Sequence, residues 1–294
     1  MDLKNLLNKN LQNTSKQVDL FGNKITRISM KEKLGFLPLS IWEPDWKIVR
    51  ELKKLIGDKG QSRQIQVDNG NFRGGSDKCS TYGYQDFTSV FNPHLAQMIL
   101  AAYAPKNARI YDPFGGGGTR GFIASAMGHS YFGKEIRQVE VTRILEQQNK
   151  LGLKFDIFCG DALEAYPEKD CFNFSYTCPP YYDLEIYSKL ENDLSHAKSY
   201  KDFLEMLTKV VQNVYDVLKP GSFSIWTVGN FRDKSGELIH FNGDLVRIAK
   251  EIGFIMHDEI IFWGASKCAS QRSGQFSSNR KAVRVHEYVE VFKK

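Results

Sequence analysis

The chain has 294 residues, 41% of them hydrophobic and 25% charged, and a formal charge of +6. That length holds one large α/β domain, or one domain with a sizeable appendage, and the composition is ordinary for a globular protein. No run approaches the ~18 apolar residues needed to cross a bilayer, and the polar start lacks the apolar stretch of a secretory signal. Cys79, Cys159, Cys171, Cys178 and Cys268 are odd in number and lack paired metal-ligand spacing. A reduced, intracellular setting without structural zinc, metal or disulfide framework is the expectation.

The charge is unevenly spread. Residues 1–80 hold 15 Lys and Arg against 9 Asp and Glu, and residues 265–294 hold 7 against 2, so the middle is mildly acidic. Two basic ends around such a core suit a polyanion gripped outside and chemistry performed inside. Solubilising charge on flexible termini is the simpler alternative.

Residues 1–85 read as a basic, loosely structured N-terminal appendage. It contains an apolar extended piece, Leu37–Trp42, and a helix over Asp45–Ile56. Its turn-rich stretch Gly57–Gln85 carries Arg63, Arg73, Tyr82 and Tyr84, a mixture that suits nucleic acid or a loop packed on the core. From residue 86 to 294 strands and helices alternate, which predicts a Rossmann-like, doubly wound α/β domain with a mostly parallel sheet. A helix over Pro93–Tyr103 leads to a strand over Ala108–Asp112, a glycine loop, a helix over Thr119–Met127 and a strand over Ser130–Ile136. After a helix to about Leu151 come strands Phe155–Cys159 and Phe172–Thr177. A long amphipathic helix, Tyr200–Leu218, is expected to stop at Pro220-Gly221. Strand Ser222–Val228 and helix Gly243–Ile252 precede two final strands, Phe254–Trp263 and Val283–Phe292, expected as an antiparallel hairpin closing the sheet edge.

The loop Asp112-Pro113-Phe114-Gly115-Gly116-Gly117-Gly118-Thr119 sits where a strand gives way to a helix. Without Cβ atoms, glycines there let backbone approach a nucleotide-like cofactor. Glu135 ends the next strand, 23 residues after Asp112, where an acid can bind ribose hydroxyls. Asp161 ends the third, where a carboxylate can accept from an adenine amino group. Cys178-Pro179-Pro180-Tyr181 follows the fourth. Two prolines stiffen the backbone there and end the ladder, and an aromatic ring beside rigid carbonyls makes a slot for a planar base.

At these residues the chain resembles the S-adenosylmethionine-dependent DNA amino-methyltransferases. Asp112, Pro113, Phe114, Gly115, Gly117 or Gly118, and Thr119 match that family's cofactor motif, and Phe91-Asn92-Pro93-His94 its preceding helix. Cys178-Pro-Pro-Tyr181 resembles its catalytic motif, an Asp, Asn or Ser followed by two prolines and an aromatic. A narrower similarity, to phage-type DNA modification methylases, covers Cys178–Ser188, Asp193–Ser195, Val228–Asp233, Ser278–Lys281 with His286, and Pro38–Trp42. The resemblance implies S-adenosylmethionine as cofactor, double-stranded DNA as partner, and a base flipped into the slot for methylation at adenine N6 or cytosine N4. It also implies that the first motif residue and the Pro179 carbonyl accept the amino hydrogens of that base.

Cys178 departs from the pattern, because a thiol accepts hydrogen bonds only weakly. A nucleophilic thiol, as in cytosine C5-methyltransferases, is the alternative there. Asp183, Glu185 and Tyr187 alternate along the following stretch, lining the pocket or ordering the next loop. Arg272, Arg280 and Lys281 lie in a basic loop beside the active edge, where phosphates or bases would be held. His94 and His286 are read as structural. Three other functions fit part of the pattern: an RNA or tRNA guanine-N2 methyltransferase, a nicotinamide dehydrogenase, and a catalytically inactive DNA-binding relative.

Overall fold

A computed structural model describes residues 2–11, 34–57, 91–182, 190, 192–264, 276–277 and 280–294. Its strands are β1 (Ile41–Trp42), β2 (Arg109–Asp112), β3 (Ser130–Glu135), β4 (Asp156–Cys159), β5 (Phe172–Thr177), β6 (Leu218–Val228), β7 (Phe231–Arg232), β8 (Leu238–Ile239), β9 (Ile255–Trp263) and β10 (His286–Lys293). Eight of them form one sheet in the order β1-β9-β10-β6-β5-β2-β3-β4, with β7 and β8 as a separate antiparallel ribbon. The run β4-β3-β2-β5-β6 is parallel throughout. β10 runs antiparallel to both neighbours, β6 and β9.

The helices are α1 (Leu3–Leu11), α2 (Trp46–Leu55), α3 (Pro93–Tyr103), α4 (Thr119–Ala126), α5 (Gln138–Leu151), α6 (Tyr200–Val217) and α7 (Phe241–Ile252). Their apolar stripes divide between two cores, as a parallel sheet covered on both faces requires. One joins α1–α5 through Leu6, Leu52, Ile99, Phe122 and Ile144. The other joins α6 and α7 through Phe203, Leu207, Val214 and Leu245. The doubly wound architecture is therefore present, with the antiparallel final pair included.

Three local expectations are revised. The described parts of 1–85 are not a loose appendage: Leu3, Leu6, Leu7 and Trp42 are buried in the first core, and β1 extends the sheet in parallel beside β9. The final strand pair does not close the edge, since β10 lies inside the sheet and β1 beyond β9 takes that position. The helix does end ahead of Pro220-Gly221, at Val217, but the following strand begins before Ser222. β6 starts at Leu218 and runs through both residues, with Gly221 at φ +81° donating its N–H to Lys294 O at 2.7 Å. Here the sheet absorbs the irregularity as a register shift opposite Phe172 and Phe174.

Helix starts follow their caps. Asp45 accepts from the N–H groups of Lys47 and Ile48, and Asn92 from those of His94 and Leu95, ahead of Pro93 at the first turn. His94 joins the two caps, its Nδ1 accepting from Asp45 N at 3.0 Å. Burial lowers its pKa to about 4, with Asp45 opposing, which fits a neutral structural imidazole.

Candidate cofactor and base-binding site

β2 and β5 are neighbours in parallel, so the loops after Asp112 and after Thr177 open on the same rim. Asp112 fastens them together. Its Oδ1 accepts from Phe114 N at 3.0 Å and from Thr177 Oγ1 at 2.7 Å. Its Oδ2 accepts from Arg120 Nε at 2.7 Å and Tyr131 Oη at 2.6 Å. The carboxylate is fully buried and does not line the cavity, so Asp112 acts here as the tie beneath the glycine loop. Arg120 also donates to Phe114 O. Burial opposes its charge, but Asp112 outweighs that and holds the guanidinium above its usual value.

The glycines answer specific geometry. A Cβ on Gly115 would lie 2.7 Å from Ile157 Cδ1 and 3.0 Å from Lys134 O, so only glycine lets the loop close against β3. Gly118 caps α4 at φ +77° with no side-chain bond, and its Cβ would press on Ile144 at 3.0 Å. From α5, Arg143 ties the loop by donating to Gly117 O at 3.0 Å while paired with Glu140.

A cavity of about 270 Å³, just below the usual lower limit for small-molecule sites, opens above these loops. Its walls include Phe91, Pro113, Phe114, Gly115, Gly117, Thr119, Glu135 and Asp161. Cys178, Pro179, Pro180 and Tyr181 form another part of the same wall. Of the sequence-derived cofactor and base-slot residues, Asp112 alone stands behind that surface. Glu135 Oε1 accepts from Arg137 N and Nε, yet burial still raises the pKa of its carboxyl, with Arg137 opposing. Both oxygens of Asp161 already hold donors, Leu163 N at 2.8 Å and Asn192 Nδ2 at 2.7 Å. An adenine amino group would have to share or displace Asn192.

The residues suit an adenosyl sulfonium. Ile136, Ala162 and Leu194 offer apolar surface for an adenine, Glu135 an acceptor for a diol, and the uncapped α4 end N–H dipoles for a carboxylate. The cavity's cationic heads are engaged by protein: Arg120 by Asp112, Arg137 by Glu135, and Lys134 by the carbonyls of Asp161 and Glu164. That distribution favours a ligand with positive charge over a dinucleotide pyrophosphate.

Arg280 and Lys281 lie outside the cavity wall. Arg280 packs its guanidinium 5.8 Å from the Phe276 ring centroid. The Lys281 ammonium lies against Gly236 of the β7–β8 ribbon. Arg284 belongs to the same basic group, its pKa lowered by burial and, after an opposing contribution from Tyr288, by Arg232. Arg63, Arg73 and Arg272, with Asp183, Glu185 and Tyr187, lie outside the described residues. Trp46, Asn192, Phe262, Gly264 and Glu287 also line the cavity but carry no local sequence signature. Among the described residues no cluster of His, Cys, Asp and Glu could hold a metal, and no helix is long and apolar enough to cross a membrane.

Fold and motifs together resemble those of the S-adenosylmethionine-dependent Rossmann-like methyltransferases, whose cofactor is S-adenosylmethionine. Residues 172–294 match the family described as DNA methylase, so the similarity extends over the part of the chain that holds Cys178–Tyr181. A curated relative, the orphan methyltransferase M.BamHII of Bacillus amyloliquefaciens, is 27% identical over 129 residues. That match covers 42% of this chain and 40% of the relative's length. Among solved structures, the [4+2]-cyclase SpnF superposes with a TM-score of 0.50 at 15% identity, over 69% of this chain and 81% of its own. At that identity the likeness concerns the fold alone.

Proposed function

We propose that the chain is a DNA amino-methyltransferase that transfers a methyl group to adenine N6 or cytosine N4 of a flipped base. The observation that carries this reading is the Thr177–Asp112 bond of 2.7 Å, which locks the base slot to the cofactor loop at one rim. Bound in the cavity, the cofactor would supply an electrophilic methyl group on a sulfonium. Glu135 would hold the ribose hydroxyls, the α4 end the amino-acid carboxylate, and Phe91 and Phe114 the flanks. A base drawn out of the stack would enter beside Cys178–Tyr181, where the Pro179 carbonyl accepts one amino hydrogen. Arg280 and Lys281, with Arg232 and Arg284, would take backbone phosphates. Incubation with cofactor and mixed DNA, then mass spectrometry of digested nucleosides, should reveal N6-methyladenine or N4-methylcytosine. Methyl groups found in RNA alone would refute the reading.

Two substitutions probe the assignment. Glu135→Gln is expected to weaken S-adenosylhomocysteine binding about ten- to hundredfold, the range for a lost charged hydrogen bond. Calorimetry reads it directly, and an unchanged affinity removes Glu135 from the cofactor site. Cys178→Ser is expected to keep methyl transfer within about tenfold, since serine retains the shape and accepts better than a thiol. Abolished transfer with intact cofactor binding would instead support a covalent role for the thiol.

A further inference from the structure

Glu287 stands near the start of β10, at the rim where β6 and β9 end. It lines the cavity together with Cys178, Pro179 and Tyr181. The Tyr181 hydroxyl donates to Glu287 Oε1 at 3.4 Å. Buried Tyr176, near the end of β5, lies close enough to both Cys178 and Glu287 for each to raise the pKa of its hydroxyl. Gly229 packs beside them, where even a Cβ would make only ordinary contact with the Tyr181 ring at 3.6 Å.

The chemistry leaves a vacancy of function at this point. An amino group on a heteroaromatic ring is a poor nucleophile, and transfer needs acceptors for its hydrogens and a destination for one proton. The slot offers the Pro179 carbonyl and a thiol, which is a weak acceptor. Of the other cavity carboxyls, Glu135 is held by Arg137, Asp161 by Leu163 and Asn192, and Asp193 by the N–H and hydroxyl of Ser195. Glu287 has no described cation as partner.

Building on the methyltransferase reading, we infer that Glu287 is the acid–base residue of the slot, supplying the acceptor that Cys178 does not. Its carboxylate accepts an amino hydrogen of the flipped base opposite the Pro179 carbonyl. As the nitrogen lone pair forms the new N–C bond, the pair of the breaking C–S bond goes to sulfur. The surplus N–H proton passes to Glu287 and then to solvent. Burial raises the pKa of this carboxyl, opposed by the Tyr181 bond, which strengthens it as a base. Tyr176, Cys178 and Tyr181 are titratable neighbours from β5 and the loop beyond, and Arg120 of α4, paired with Asp112, lies 5.9 Å from the Tyr176 ring centroid. Phe262 and Gly264 of the β9 end, Trp46 of α2 and Phe91 before α3 contribute no charge.

The test compares wild type, Glu287→Gln and the double variant Glu287→Gln, Cys178→Asp. Glu287→Gln should lower kcat for DNA about 100-fold or more, the scale of general base catalysis. KM for DNA, S-adenosylhomocysteine affinity and melting temperature should stay close to wild type. The wild-type kcat should rise with pH through a value above the ordinary glutamate range, and the Gln variant should lose that rise. Cys178→Asp in the Gln background should recover at least tenfold, because it restores a carboxylate to the slot. Infrared spectra of the protein without cofactor should show a carboxyl band, titrating above the usual range, that Glu287→Gln removes. A kcat within threefold of wild type, or a loss matched by lost cofactor affinity or lower melting temperature, overturns the inference alone. Wild-type protein that transfers no methyl group to DNA overturns the methyltransferase reading and this role with it.

Discussion

Asp112→Ala is expected to remove about 3–5 kcal/mol of folding stability, the cost of stranding a buried charge whose partner has gone. The substitution deletes four acceptor contacts at once and leaves the Arg120 guanidinium 5% exposed without its carboxylate. It also unfastens β5 from the glycine loop, so cofactor affinity should fall along with stability. Thr177→Val and Tyr131→Phe each remove one donor to that carboxylate and should cost less, about 1.5–3 kcal/mol. Urea unfolding of the three variants decides the matter. An Asp112→Ala protein within about 1 kcal/mol of wild type would show that the tie contributes little.

The second large effect concerns Glu290 in β10, a fully buried carboxyl whose polar side-chain neighbour, Asn242, gives it no well-formed hydrogen bond. Burial, and then repulsion from Glu259, push its pKa from 4.5 up to about 8, with Asn242 opposing. A carboxyl with a raised folded pKa favours the folded state while protonated. That advantage is complete below about 4.5, declines as pH rises toward 8, and is gone above it. Glu290→Gln cannot ionise, so it should be more stable than wild type at pH 9, by several kcal/mol on the order of the shift. At pH 5 the two should nearly coincide. Melting temperatures across this range test it, and a gap that does not vary with pH would exclude Glu290 as the cause.

Local chemistry was largely readable from the chain. The helices over Asp45–Ile56 and Pro93–Tyr103 were expected nearly where they lie, the four glycines announced a strand-to-helix turn, and Pro179-Pro180 announced the end of β5. Pairing across the sheet was not readable, because it depends on partners far apart in sequence. Pro220-Gly221 reads as a stop by turn chemistry, yet β5 and the C-terminal Lys294 hold it within a strand. β10 follows β9 in sequence like the second arm of an edge hairpin, but β6 claims its other side. The acids divide in the same way. Glu135 and Asp161 stand at strand ends where position alone marks them. Glu287 sits in an ordinary alternating strand, and only the meeting of β10 with the loop after β5 brings it to the cavity. The aspartate of the glycine loop could be located in advance, but its downward bonds to Arg120, Tyr131 and Thr177 belong to the packed interior.

The interior position of β10 also governs the order of assembly. A chain released before residue 286 would present β6 and β9 as two unsatisfied edges, each inviting foreign strands. It would also lack Glu287 and the part of the cavity wall it forms beside Tyr181. Closure of the sheet and of the cavity wall therefore both wait on β10.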